Sequence, residues 1–237
     1  MLYFICIPIF VLLYIGALFL LRLFKNTTIT NLVFCLCIVI PYICLVVIVY
    51  NSVGPKDWNF LNTLPTANVS PFMFAVCPIY LILPKKAKPY FFLLIALLSV
   101  GMFISPLTSL IYNGSINYKF HPHFVLDYFS HFMISLWGVY LVQTHQCEAT
   151  TKKSLISGSI IVGVAIIMLI LNVIFDKAFF GLSLNGKHSI YNNVLVDNSY
   201  LSALIYFSGL IVVLILGFLY QLLLLKLFKK KGAKITN

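Results

Sequence analysis

The chain has 237 residues, of which 62% are hydrophobic and 9% charged, and its mean hydropathy is +1.04. Soluble domains are about 45–50% apolar and about 25% charged, so this composition excludes a water-soluble enzyme, a disordered segment and a conventional nucleic-acid binder. Sixteen Lys and Arg against five Asp and Glu leave a net charge of +11, and what matters is where those charges fall along the chain.

A helix needs about 20 mostly apolar residues to cross a hydrocarbon layer roughly 30 Å thick. Uncharged runs of that kind predict an all-α bundle of seven membrane-spanning helices, at 2–21, 31–51, 64–84, 90–112, 123–143, 155–175 and 200–225. Only short loops remain, so residues 1–237 read as one integral domain, multi-pass in a cell membrane, ending in a basic tail at 226–237. No Lys or Arg precedes the first run, while Arg22 and Lys25 follow it, which favours a retained span over a signal peptide. Asn26-Thr27-Thr28 and Thr150-Thr151 offer helix N-cap groups at the second and sixth runs. Pro65, Pro71 and Pro78 interrupt the third, so carbonyls freed there must be satisfied by packed neighbours or a polar cavity.

Twelve of the sixteen basic residues fall on one side of that topology: Arg22 and Lys25, Lys85, Lys86 and Lys88, Lys152 and Lys153, and five lysines in the tail. The positive-inside rule then puts the N-terminus outside and the tail in the cytoplasm. The tail could recognise anionic lipid headgroups, but serving as a topology anchor is the simpler reading.

Six cysteines stand at 6, 35, 37, 44, 77 and 147. Cys35 and Cys37 point about 200° apart on a helix and cannot share one ion from it. The cysteines are read as small apolar residues, without a disulfide framework or a zinc site. The pattern calls for no cofactor, and the partners it suggests are membrane lipids, not nucleic acid.

Given an outside N-terminus, polar residues gather near the outer ends of the spans. They are Asn62, Thr63, Thr66, Asn68 and Ser70; Ser105, Thr108 and Ser109; His121, His123, Asp127, Ser130 and His131; Asn172 and Asp176; and the approach to Tyr200. The inner halves look poor by comparison, so a single outward-facing pocket is expected. His123, Asp127 and His131 are four residues apart and drift only about 40° per step, which makes one helical stripe continued by Ser135 and Gly138. Ionisable groups inside a span cost roughly 2.5–3.5 kcal/mol each on insertion scales, so such a stripe faces partners and not lipid. Three readings of it stay open. A His could act as general base oriented by Asp127; His123, Asp127 and His131 could ligate a metal; or the three could only hydrogen-bond neighbouring helices.

The run Lys119-Phe120-His121-Pro122-His123-Phe124, continuing into Asp127-Tyr-Phe-Ser130-His131, resembles the signature of bacterial YwaF-like integral membrane proteins. Asn68-Val-Ser-Pro71-Phe and Pro78-Ile-Tyr80 are similar to the same family's third span. The resemblance implies a seven-helix relative of the transmembrane acyltransferases that remodel ether phospholipids with a Cys–His pair. His131 matches the motif's His, whereas the position of the family's Cys is Ala67. Thr66 and Ser70 are the nearest hydroxyls. The expected site then has His131 as base, supported by Asp127 and His123, and Thr66 or Ser70 as nucleophile. Asn68 or Asn172 would be the oxyanion donor, with His121, Ser130 and Tyr200 around the substrate. The expected reaction is acyl transfer or hydrolysis on a phospholipid or other acyl substrate. The alternative is a non-enzymatic carrier, receptor or pseudo-enzyme that binds a lipid, small ligand or cation.

Overall fold

The computed structural model describes residues 2–53, 69–115, 123–147, 150–175 and 199–228. Among them lie seven α-helices and no strand: α1 (Leu2–Leu20), α2 (Thr27–Val53), α3 (Val69–Val76), α4 (Lys88–Ser115), α5 (His123–Gln143), α6 (Thr151–Phe175) and α7 (Ser199–Phe228). Five of these, α2 and α4 to α7, are long and apolar enough to cross a membrane, and the chain is a multi-pass helical membrane protein. The described apolar stretches of α1 and α3 are shorter, Phe4–Leu20 and Val69–Leu81.

The third run departs most from a plain span. Among its described residues the α-helix covers Val69–Val76 before Cys77–Leu81 tightens into a 3₁₀ turn, with Pro78 near its start. A proline removes a backbone donor and crowds the preceding turn, which a 3₁₀ geometry relieves. Helix starts follow their caps. Asn26 Oδ1 accepts from the Ile29 N–H at 3.1 Å, and Thr150 Oγ1 accepts from the Lys153 N–H at 3.3 Å.

α4 is the central element, packed on α5, α7, α6 and α1. Residues Phe92 to Ser99 are buried without interruption over two turns, the pattern of a helix covered on every side. Hydrophobicity cannot pull helices together inside lipid, so close contact needs small residues at the crossings. Gly138 of α5 supplies one, since a Cβ there would lie 2.6 Å from the Ser99 Cβ and 3.1 Å from the Ala96 Cα. Gly217 of α7 supplies another, where a Cβ would overlap the Leu97 carbonyl. The outward faces carry the exposed Leu, Ile, Val and Phe side chains that suit a lipid surround, among them Leu12, Ile40, Leu155 and Leu204.

The end of the bundle where α1 stops, α2 starts and α5 stops is tied by polar groups. α5 closes in a Schellman arrangement: the Gln146 N–H bonds the Leu141 carbonyl at 3.0 Å and the His145 N–H bonds that of Val142 at 3.1 Å. His145 takes the left-handed position usual for glycine, with φ 54°. That turn carries Gln146 back to α2, where its Oε1 accepts from Asn31 Nδ2 at 2.7 Å. Asn31 Oδ1 in turn accepts from Trp137 Nε1 at 2.9 Å, and the Tyr140 hydroxyl donates to the Phe24 carbonyl at 3.1 Å. The end that the positive-inside count would place inward thus carries its own cluster of polar groups, Asn31, Trp137, Tyr140 and Gln146. Asn31 is more than 100 positions from its partners Trp137 and Gln146, so no local pattern announces the cluster.

Cys147 lies in the same turn, beyond the end of α5, and is buried at 3% exposure. Burial pushes its thiol up to about 12, because a thiolate would lose its hydration there. The folded value is raised above the unfolded one. The stability linked to the neutral thiol is therefore complete below the unfolded value and is lost as the pH climbs from there toward about 12. Iodoacetamide at pH 8 is expected to spare Cys147 in the folded protein and to modify it once the protein is unfolded. Peptide mapping reads this directly, and rapid modification in the folded state contradicts it.

Candidate functional site

Asp127 and His131 lie one turn apart on α5, and the helix brings their side chains together. His131 is 5% exposed. Its Nδ1 is 2.9 Å from the Asp127 backbone oxygen and 3.5 Å from Asp127 Oδ1. A carbonyl only accepts, so this contact places a ring proton on Nδ1 and leaves Nε2 to face other partners. Phe74 of α3 packs edge-to-face on the imidazole, with ring centroids 5.0 Å apart. The Asp127 side chain is 32% exposed, so the carboxylate reaches outward while the ring stays enclosed.

Below His131 on the stripe, Ser135 is fully buried. It donates to the Ser99 carbonyl of α4 at 2.8 Å and lies 3.0 Å from the Tyr14 hydroxyl of α1, which also hydrogen-bonds Tyr220 of α7. Three hydroxyls and the Ser99 carbonyl therefore join four helices at the depth of Ser135. Sequence reading placed Ser135 on the stripe but had no signal for Tyr14 or Tyr220. A tyrosine in an apolar run looks like any aromatic until its partner is known.

The other expected site residues fall as follows. Ser130 is buried and donates to the Ile38 carbonyl of α2 at 3.3 Å, a tie between α5 and α2. Asn172 is 3% exposed on α6. Ser70, one turn before Phe74, lines a cavity of about 350 Å³ between α3, α4 and α7, together with Met102, Gly101, Tyr206 and Gly209. Among its described lining residues, Asp127, His131, Ser130 and Asn172 do not appear. Thr66, Asn68 and His121 lie outside the described residues, as do the side chains of His123 and Tyr200.

The arrangement can do one thing chemically without further parts. It holds an imidazole whose Nδ1 is fixed against a backbone carbonyl and flanked by a carboxylate, which leaves Nε2 as the nitrogen available for proton exchange. Among the described residues, no hydroxyl or thiol side chain hydrogen-bonds to His131. A metal would need three converging ligands, and among the described residues no group of three His, Cys, Asp or Glu side chains is placed to hold one. Comparison with family models, with curated proteins and with solved structures gives no match.

Proposed function

We propose that this multi-pass membrane protein spans the bilayer seven times, with its N-terminus outside and its basic tail in the cytoplasm. On this reading it carries out acyl transfer or hydrolysis on a membrane lipid, with His131 as the general base. The observation that carries the reading is the Asp127–His131 geometry: a buried ring, proton held at Nδ1, carboxylate at 3.5 Å. Burying an imidazole inside a helix bundle beside a partly exposed carboxylate costs stability, and such groups persist where they serve a site. Thr66 is the proposed nucleophile. Ser70 is the second candidate, since it begins the face of α3 whose Phe74 touches the imidazole. Asn68 or Asn172 would donate to the developing oxyanion; His123, with Asp127, would support His131, and His121, Ser130 and Tyr200 would lie near the substrate. The resemblance to YwaF-like proteins and their acyltransferase relatives points the same way, through the residues around His131.

The partly exposed Asp127 carboxylate beside the enclosed imidazole also suits a second reading, a non-enzymatic carrier or receptor in which the Asp127–His131 pair binds a small ligand or cation. One experiment separates the two. Purified protein in detergent is treated with an acylating activity-based probe. Labelling is expected for the native chain and should fall at least tenfold in both Thr66→Ala and His131→Ala. Labelling that ignores both substitutions, or none in the native chain, removes covalent catalysis and leaves the binding reading.

A further inference from the structure

α6 and α7 follow each other in sequence yet touch only lightly. Between them runs a groove of about 350 Å³, with Leu97 of α4 as its floor. Its walls are apolar for most of their length, Leu155, Gly158 and Val162 facing Ile211, Leu214, Ile215 and Phe218. Leu155, Ile211 and Ile215 are exposed at its rim, so it opens to the bilayer and not to the bundle interior. From Thr151 to Val162 the α6 wall measures about 16 Å at 1.5 Å per residue, close to the roughly 15 Å depth of one leaflet.

Apart from Ser159, whose hydroxyl donates to the Ile156 carbonyl, the groove's polar residues lie at one end. Thr151 and Ser154 line it there, and the Ser154 Oγ is buried without a hydrogen-bond partner. The same end is basic. Lys152 and the groove residue Ser159 are seven residues apart, within about 20° on the helix; Lys226 and Ile215 are eleven apart and equally close in angle. Both lysines are exposed, Lys152 next to Thr151 and Lys226 eight residues past Phe218, each on the groove side of its helix toward the same end.

We propose that this groove binds an anionic phospholipid. One acyl chain lies along Leu155–Val162 and Ile211–Phe218, and the phosphate sits at the mouth between Lys152 and Lys226. The Ser154 hydroxyl donates to an ester or phosphate oxygen. Lipid tails offer the acyl chain no gain over the surrounding bilayer, so the preference for this lipid rests on the phosphate and the lysines. Each lysine near a membrane surface favours an anionic lipid by about fivefold.

The test reconstitutes the full chain in phosphatidylcholine vesicles doped with a phosphatidylglycerol carrying a photoreactive diazirine in one acyl chain. After irradiation, peptide mapping is expected to concentrate adducts on 151–162 and 211–218. The Lys152→Gln/Lys226→Gln double substitution should reduce them more than tenfold, and Gly158→Leu, which fills the groove, should also deplete them. Both lysines are exposed, so folding is not at stake in the double variant. A phosphatidylcholine carrying the same diazirine should label this segment weakly. The proposal is overturned if adducts spread evenly over all lipid-facing helices, if the choline lipid labels the groove as strongly, or if cross-linking shows a second copy of the chain seated there.

Discussion

Gly217→Ala is expected to destabilise the bundle by about 3 kcal/mol or more, while Gly209→Ala, two turns earlier on α7, is expected to be neutral or to gain up to about 1 kcal/mol. Both add one methyl group to the same helix. At Gly209 nothing lies within 4 Å of the new Cβ, whereas at Gly217 the methyl meets the Leu97 carbonyl, carbon and Cα of α4. Backbone cannot rotate away as a side chain can, so the two helices must separate along the crossing. That separation strips packing from Leu97 and its buried neighbours Ala96 and Leu98, where dispersion contacts supply most of the cohesion. Unfolding midpoints of the three proteins in one detergent, followed by circular dichroism, measure the contrast. Equal midpoints for the two variants would mean that α4 and α7 do not cross where the structure places them.

The helices were legible because apolar runs of 20 residues have one physical outcome in a bilayer, and the α5 boundaries, 123–143, are those its pattern suggests. The third run was harder. Its prolines were visible, but how far they shorten the α-helix depends on the contacts of Met73, Phe74 and Cys77, all fully buried against other helices. The Asp127–His131 contact was readable from a spacing of four. The Ser135–Tyr14–Tyr220 junction and the Trp137–Asn31–Gln146 clasp were not, since they join residues more than 80 positions apart through side chains that each look ordinary in isolation. Asn31, for example, opens an apolar span and reads as a helix-start residue. Its function as the acceptor for a buried indole appears only once α2 lies against α5.

That indole carries the second large effect. Trp137 is fully buried, stacked on Phe34 at 6.3 Å and meeting Tyr80 and Phe92 edge-on at 5.5 and 6.2 Å. Trp137→Ala is expected to cost about 3–5 kcal/mol, the range for emptying a packed aromatic site. Trp137→Phe keeps much of the ring contact and removes the N–H, so its cost should be nearer 1–2 kcal/mol, partly because Asn31 Oδ1 then loses its donor. Pairing Trp137→Phe with Asn31→Ala isolates the hydrogen bond, and a coupling of about 1 kcal/mol is expected from the cycle. The comparison decides which force holds α2, α4, α5 and the Cys77–Leu81 turn together at this end. If Trp137→Phe proves as costly as Trp137→Ala, the polar clasp dominates and the aromatic cluster is secondary. If the phenylalanine variant is mild, packing sets the stability and the hydrogen bond to Asn31 chiefly fixes the rotation of α2 against α5.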